Sequence, residues 1–223
     1  MLERCPVARG GSILEIGCGT GKLLAEMAAL TGAGQVVGID PDPGMLAQAT
    51  GLETRIGSAE HLPVESDTID LAYLSLAFHL VEQRRAAREL HRVVRVGGYA
   101  AIWTLTPEHV TGYHLNRVFP SLTTVDLPRF QPPERWLGLL AGAGFEPVLE
   151  QQLVTERHTT AGALAAAVRG KFISTLALLP EDEWERGSRQ LEAEAARDPD
   201  RRVSHTQIWC LLWGRRAKVM VAT

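Results

Sequence analysis

The residues best suited to chemistry stand in one run, Glu15-Ile16-Gly17-Cys18-Gly19-Thr20-Gly21-Lys22. Glycine has no Cβ, so such a loop lets a ligand lie close against the backbone. A helix that follows points its first amides at that ligand and favours an anionic group there. Spacing separates the ligand classes that use such loops. A Walker A loop requires G-x-x-x-x-G-K-[ST]. Gly21-Lys22 fits its end, but Ile16 falls where the first glycine belongs and Leu23 where the hydroxyl belongs. The dinucleotide fingerprint G-x-G-x-x-G/A fits Gly17 and Gly19, but meets Lys22 where close helix–strand packing needs a small residue. What remains is G-x-G-x-G, with the carboxylate of Glu15 two positions ahead. A second carboxylate, Asp40, lies about 20 residues past the loop, where an acid at a strand end accepts the hydroxyls of a ribose; without the loop before it, such an aspartate reads as a cap. Bonds to such an ionised acceptor are stronger than neutral ones.

Positioning these groups takes a strand before the loop and a helix after it. Ser12–Ile16 is a short apolar run ending at glycine and reads as a buried strand. Residues 20–31 carry Leu23, Leu24, Met27, Ala28 and Leu30 at helical spacing and end at Gly32 and Gly34. Residues 36–40 read as a second strand, and Asp42 as the N-cap of a short helix over 44–50. Residues 54–58 and Ile69–Ser75 read as the third and fourth strands. Residues 81–95 read as a helix with Ala86, Leu90, Val93 and Val94 on one face, and 99–104 as a fifth strand after Gly97-Gly98. This alternation predicts an α/β, parallel, doubly wound sheet. Its strands are apolar on both faces, as burial under helices on each side requires.

Periodicity weakens after residue 105. Residues 105–134 are rich in Pro, Thr and His and are expected to be irregular, the segment best suited to a lid. A helix over 134–143, a strand near 145–155, a mostly helical stretch over 160–179 and a charged helix over Glu181–Arg197 follow, the last with Trp184, Leu191 and Ala195 inward. Residues 205–213 read as a final strand. With no repeat and no linker, the 223 residues read as a single domain. Its cofactor-binding half is 12–104, and its lid and acceptor region 105–180.

On these residues the chain resembles the class I S-adenosylmethionine-dependent methyltransferases, and is most similar to the ubiquinone/menaquinone-biosynthesis-like small-molecule group. Ile13-Leu14-Glu15-Ile16-Gly17-Cys18-Gly19-Thr20-Gly21 matches that family's first motif, and Val37-Gly38-Ile39-Asp40 its acidic second motif. Gly57-Ser58-Ala59-Glu60-His61-Leu62-Pro63 resembles its adenine loop, and Asp67-Thr68-Ile69-Asp70-Leu71-Ala72 the run into its fourth strand. Glu89-Leu90-His91-Arg92-Val93-Val94-Arg95-Val96-Gly97-Gly98 matches the helix and turn before its fifth. The resemblance is specific over residues 12–104 and beyond them is one of element order. It implies a Rossmann-like, mostly parallel seven-stranded sheet with helices on both faces and an antiparallel final strand. It also implies S-adenosylmethionine as cofactor, S-adenosylhomocysteine as product, and methyl transfer to a small-molecule acceptor. By resemblance, Gly17, Cys18 and Gly19 pass the methionine moiety, Glu15 sits near its ammonium, and Asp40 holds the ribose. Pro41 and Met45 flank the adenine, with Ser58, Ala59 and Glu60 at its edge, and Ser75 and Leu76 lie beside the methionine end. The family commonly has an acid where Ser58 stands, which passes adenine recognition to Glu60 or to backbone groups. Residues 1–11 precede the first motif, where relatives carry one or two further helices. The cover is then expected to be missing, or to come from residues 105–134, from a partner subunit as in a homodimer, or from a reading frame that starts upstream. Alternatives on the same fold are a cofactor-binding protein without activity, and an enzyme that does not transfer methyl.

Methyl transfer from a sulfonium needs a general base only if the acceptor carries a proton of high pKa. His79, after the fourth strand, is the candidate, since doubly wound folds bind ligands at strand carboxyl ends. Its alternative is a packing histidine. His109, Tyr113 and His114 are candidates for lining an acceptor pocket. Cys18 reads as a small packing residue between glycines. Lys+Arg 23 against Asp+Glu 26 gives a net charge of −3, without the basic footprint of a dedicated nucleic-acid binder. Three widely spaced cysteines, Cys5, Cys18 and Cys210, form no CxxC pair and suggest a reducing, cytoplasmic setting. No pair has convincing metal-ligand spacing, and no apolar run reaches the length of a membrane span.

Overall fold

The computed structural model describes residues 1–146 and 151–217. In chain order its elements are β1 (Ser12–Ile16), α1 (Lys22–Thr31), β2 (Gln35–Asp40), α2 (Pro43–Leu46), β3 (Glu53–Ile56), β4 (Ile69–Ser75), α3 (Gln83–Val93) and β5 (Val94–Leu105). Then come α4 (Pro107–Gly112), α5 (Ser121–Asp126), α6 (Pro133–Ala143), β6 (Phe145–Glu146), β7 (Gln151–Thr160), α7 (Ala161–Arg169), α8 (Glu181–Arg197) and β8 (Arg202–Arg216). The chain forms two compact units. The first holds Met1–Thr104, Pro133–Gln151 and Cys210–Thr223, and the second Leu105–Pro132 and Gln152–Trp209.

The sheet runs β3-β2-β1-β4-β5-β8-β6, with β7 paired to β8 outside this path. Pairs β1–β2, β1–β4, β2–β3 and β4–β5 are parallel, and β6–β8 is antiparallel. This is the expected doubly wound sheet, and β1 in its interior is buried at all five positions. Because β1 lies between β2 and β4, its carboxyl end sits where the strand order reverses, the crevice in which such sheets bind ligands. The register is pinned at the other end. Ser12 N donates to Asp70 Oδ2 at 2.8 Å, and Asp70 N donates to Ser12 Oγ at 2.9 Å. One face of the first unit's core packs Ile13, Leu24, Met27, Leu71, Tyr73 and Leu211 together.

Several elements differ from the sequence expectation. The third strand covers 53–56 rather than 54–58, and the helix after Asp42 ends at Leu46. Helix α3 begins at Gln83 because Glu82 caps it, accepting from Arg84 N and Arg85 N. The single strand expected near 145–155 appears as β6 and β7; residues 147–150 of that expectation lie outside the described residues. Residues 105–134 are not irregular. Thr106 accepts from His109 N at 3.2 Å and starts α4, with Pro107 in the first helical turn, an arrangement that suits proline's fixed φ and missing N–H. The amide and hydroxyl of Ser121, at the start of α5, both donate to Glu183 of α8.

The second unit has its own core of Leu115, Phe119, Leu122, Leu164, Val168 and Trp184, with Leu191 on the same cluster and Ala195 against it. Among the described residues no helix is long and apolar enough to cross a membrane. Gly187, inside α8, lies flat against the buried Phe119 ring, and a Cβ there would run into that ring. Alanine elsewhere in a helix gains about 1 kcal/mol over glycine, but overpacking a rigid core costs about 1–3 kcal/mol. We therefore expect Gly187→Ala to lower the thermal unfolding midpoint, and to raise hydrogen exchange first in α5 and α8. An unchanged or raised midpoint would contradict this packing.

Candidate functional site

The glycine loop leaves β1 through three left-handed residues, Gly17, Gly19 and Gly21, at φ +74°, +54° and +72°. Gly17 and Gly21 are also tight: a Cβ would meet Ala77 at 2.6 Å or Leu52 at 2.6 Å. Gly19 is the opposite case, with nothing within 4 Å of its Cβ position. The loop thus has two glycines locked by packing and one facing open space. Gly17 N and Cys18 N donate to Ile39 O at 2.7 and 3.1 Å, which ties the loop to β2.

Asp40 ends β2 and is only 9% exposed. Its Oδ2 accepts from Gly19 N at 2.8 Å and its Oδ1 from Asp42 N at 2.9 Å. This role in holding the loop is one that spacing alone does not reveal. Each carboxylate oxygen has further lone-pair capacity, so both can still accept a hydroxyl. Asp42 in turn caps α2, accepting from Gly44 N and Met45 N. Pro41 and Met45 are exposed beside this turn. Cys18 packs over Gly38, where a Cβ would meet its Sγ at 2.7 Å. Burial, then the charges of Glu15 and Asp40, push its thiol up to about 11. The side chain is therefore a protonated packing group.

Glu15 is 3% exposed, and its Oε2 has no hydrogen-bond partner among the described residues. Burial raises its pKa to about 7; Tyr73 and the Leu24 amide pull it down, and the Asp40 charge adds to the rise. A buried acceptor without a donor is costly. A cation or N–H donor arriving there would satisfy it and favour the charged form.

The 57–64 loop is held by a clamp. Glu89 Oε2 accepts from Leu62 N at 2.8 Å, while Arg92 donates to Leu62 O and Val64 O at 2.9 and 2.8 Å. Glu89 and Arg92 pair with each other at 2.7 Å. Sequence reasoning places this Glu-x-x-Arg pair on a helix without assigning it a task, although its i, i+3 spacing on one helix face was the available signal. Within the loop, Ala59 is buried and Ser58 is half-buried. Glu60 Oε1 accepts from Glu82 N at 2.7 Å. Desolvation raises the Glu60 pKa, but the Glu82 amide, its own amide, Ser58 and Arg85 outweigh it and hold the group low.

Beyond β4 the chain turns sharply. Ser75 is half-buried at the strand end. Leu76 has φ +52°, is 38% exposed, and donates its N–H to Trp103 O at 2.8 Å. Left-handed backbone is uncommon for a leucine. Phe78 packs edge-on against Trp136 at 5.9 Å and anchors the short turn that carries half-buried His79. Glu15, Gly17, Cys18, Gly19, Asp40, Pro41 and Met45 thus gather at the carboxyl ends of β1 and β2. Ser75 ends the adjacent β4, and Leu76 and His79 follow it.

The second unit gathers the remaining histidine candidates. His114 stacks on His205 at 4.2 Å, and Tyr113 sits edge-on to both. His109 lies 5.1 Å from Tyr113 and accepts from Ile208 N. Burial first, then neighbouring histidines, push His109 and His114 down to about 4. They are neutral imidazoles at neutral pH. His158 meets Ser204 at 2.9 Å, and His91 packs on Phe145.

Residues 14–102 match the family described as a methyltransferase domain. The chain is 35% identical over 120 residues to malonyl-[acyl-carrier protein] O-methyltransferase of Dechloromonas aromatica, covering 53% of this chain and 45% of that protein. The chain therefore spans about half the length of this relative. Among solved structures, YcgJ of Bacillus subtilis superposes with a TM-score of 0.64 at 18% identity, over 96% of this chain and 95% of that one. The [4+2]-cyclase SpnF superposes with a TM-score of 0.63 at 20% identity, over 97% and 78%. At these identities the two structures report the fold.

The Glu15 carboxyl gives the site a pH signature. Its folded pKa is raised from 4.5 to about 7. Its contribution to stability is then fully present below 4.5 and is lost as pH rises through 7. We expect the stability difference between wild type and Glu15→Gln to fall across that window, with a carboxyl titration near 7 in carbon-13 NMR that the variant lacks. A Glu15 midpoint near 4.5 would overturn this reading.

Proposed function

We propose, from the membership of residues 14–102 in the methyltransferase domain family, that the chain is a class I S-adenosylmethionine-dependent methyltransferase acting on a small-molecule acceptor. The observation that carries the reading is the pairing of a buried, donor-less Glu15 oxygen with an open left-handed glycine at Gly19. A ligand with a cationic amine and a carboxylate suits that pairing better than a polyphosphate does, because Glu15 and Asp40 would repel added phosphates.

When bound, S-adenosylmethionine supplies a methyl group on a sulfonium, whose departure leaves a neutral thioether. The chain's own task is then chiefly to position the two reactants in line. In this reading Glu15 accepts from the ammonium, and the backbone at Gly17, Cys18 and Gly19 lies against the methionine end. Asp40 accepts from the ribose hydroxyls with its remaining lone pairs. Pro41 and Met45 offer exposed apolar faces for the adenine, and the 57–64 loop supplies its edge through Ser58, Ala59 and Glu60. Because the Glu60 Oε1 is already taken by Glu82 N, the other oxygen of Glu60 or backbone groups serve the base. Ser75 and Leu76 border the methionine end, and His79 removes a proton from acceptors that carry one. Residues 105–180 are read as the acceptor-selecting segment of a single functional domain, and the assembly as a homodimer. The ubiquinone-biosynthesis-like resemblance and the net charge of −3 support a small molecule rather than a nucleic acid. Three free cysteines support a cytoplasmic setting.

Radiolabelled methyl transfer tests the reading. A panel of carboxylic acids, phenols, amines and thiols is incubated with protein and methyl-labelled S-adenosylmethionine. We expect label in at least one class. We further expect His79→Ala to lower kcat and flatten its acid limb while leaving product binding unchanged. Binding without label transfer to any acceptor would contradict methyl transfer, and would favour a non-transferring enzyme such as a cyclase on this fold.

A further inference from the structure

A groove of about 670 Å³ runs between α3 and α6, and apart from Glu82, whose amide holds Glu60, its lining residues play no part in the glycine-loop site. Arg84 and Arg88 of α3 and Arg135 of α6 line it, over Gly138, Leu139 and Gly142 of α6. Among the described residues, no carboxylate lies within ion-pair distance of any of the three arginines. The acid on the rim, Glu82, is already committed. It caps α3 through Arg84 N and Arg85 N and pairs with the Arg85 side chain at 3.5 Å.

Two features of the groove are unfavourable for the free chain. Arg84 and Arg88 are like charges one helical turn apart, which repel. Gly138 lies inside α6, where glycine is a poor helix former, and nothing stands within 4 Å of its Cβ position. Packing within the chain therefore does not require glycine there, while its absent side chain keeps the groove floor open. An anion seated over the floor offsets the repulsion and occupies the space that the glycine leaves open. Each guanidinium presents five N–H donors in a planar fork that matches phosphate oxygens in pairs. The one-turn spacing of Arg84 and Arg88 suits two adjacent phosphates, with Arg135 closing from the facing helix. The volume falls in the range of small-molecule sites.

We propose that this groove binds the diphosphate group of a small phosphorylated molecule. Calorimetric titration of the intact protein with inorganic pyrophosphate, at physiological ionic strength, tests it. Saturable one-to-one binding is expected. It should weaken by about tenfold or more in the double variant Arg88→Ala, Arg135→Ala, and also in Gly138→Leu, which fills the floor. All three positions are exposed, so thermal unfolding should show both variants folded. No saturable binding to wild type would overturn the proposal. So would equal affinity in both variants, which would place the ligand elsewhere. Weakening in the arginine variant alone would reduce the effect to surface charge and overturn the groove assignment. S-adenosylhomocysteine titrated into the same samples reports on the methyltransferase reading separately, because Arg88, Arg135 and Gly138 make no part of that site.

Discussion

The Asp40 carboxylate is shared between two backbone amides, Gly19 N in the loop after β1 and Asp42 N in the turn after β2. Few other single groups reach both segments that a ligand at the crevice would touch. The bond holds Gly19 in a left-handed conformation over open space, and it starts the turn in which Asp42 caps α2. The remaining loop constraints come from packing, with Gly17 against Ala77 and Gly21 against Leu52. The site is therefore largely preformed. That reduces the ordering cost a ligand would otherwise bear.

The electrostatics of the site follow from that geometry. Asp40 is a buried acid with two amide donors, whereas Glu15 is buried with one oxygen that lacks any. Desolvation then pushes Glu15 towards its neutral form, with the Asp40 charge adding to the push. The same two acids raise the Cys18 thiol after burial itself. The crevice is thus arranged to receive positive charge at one point, and its Cys18 thiol is held protonated. Both properties suit a displacement whose rate comes from placement. In the second unit, burial keeps His109 and His114 neutral, so this cluster offers hydrogen-bonding and stacking surfaces rather than charge.

Much of this was legible in the sequence because the responsible signals are local. β1, β4 and α8 have their expected boundaries, since an apolar run bounded by glycine, or a helix face of Trp184 and Leu191, is specified by neighbouring residues. The glycine loop and Asp40 were legible from spacing. What was missed depends on long-range partners. Glu89 and Arg92 hold a loop some 27 to 30 residues away, and the pattern does not say what they hold. Glu183 reads as one more acid at a helix start, but it is 8% exposed and binds Ser121 at 62 residues' separation. Residues 105–134 looked irregular because their helices are short, and short helices carry little periodicity. Even so, Thr106-Pro107 was a readable helix start.

The central claim is that the Asp40-anchored glycine loop holds an adenosyl amino acid. The most direct measurement is calorimetric titration of S-adenosylhomocysteine into wild type and Asp40→Ala, with thermal unfolding confirming that both are folded. The account predicts micromolar binding to wild type, and loss of about tenfold or more in the variant, where a charged acceptor and the loop anchor disappear together. Equal affinity in the two proteins, or no binding to folded wild type, would contradict it.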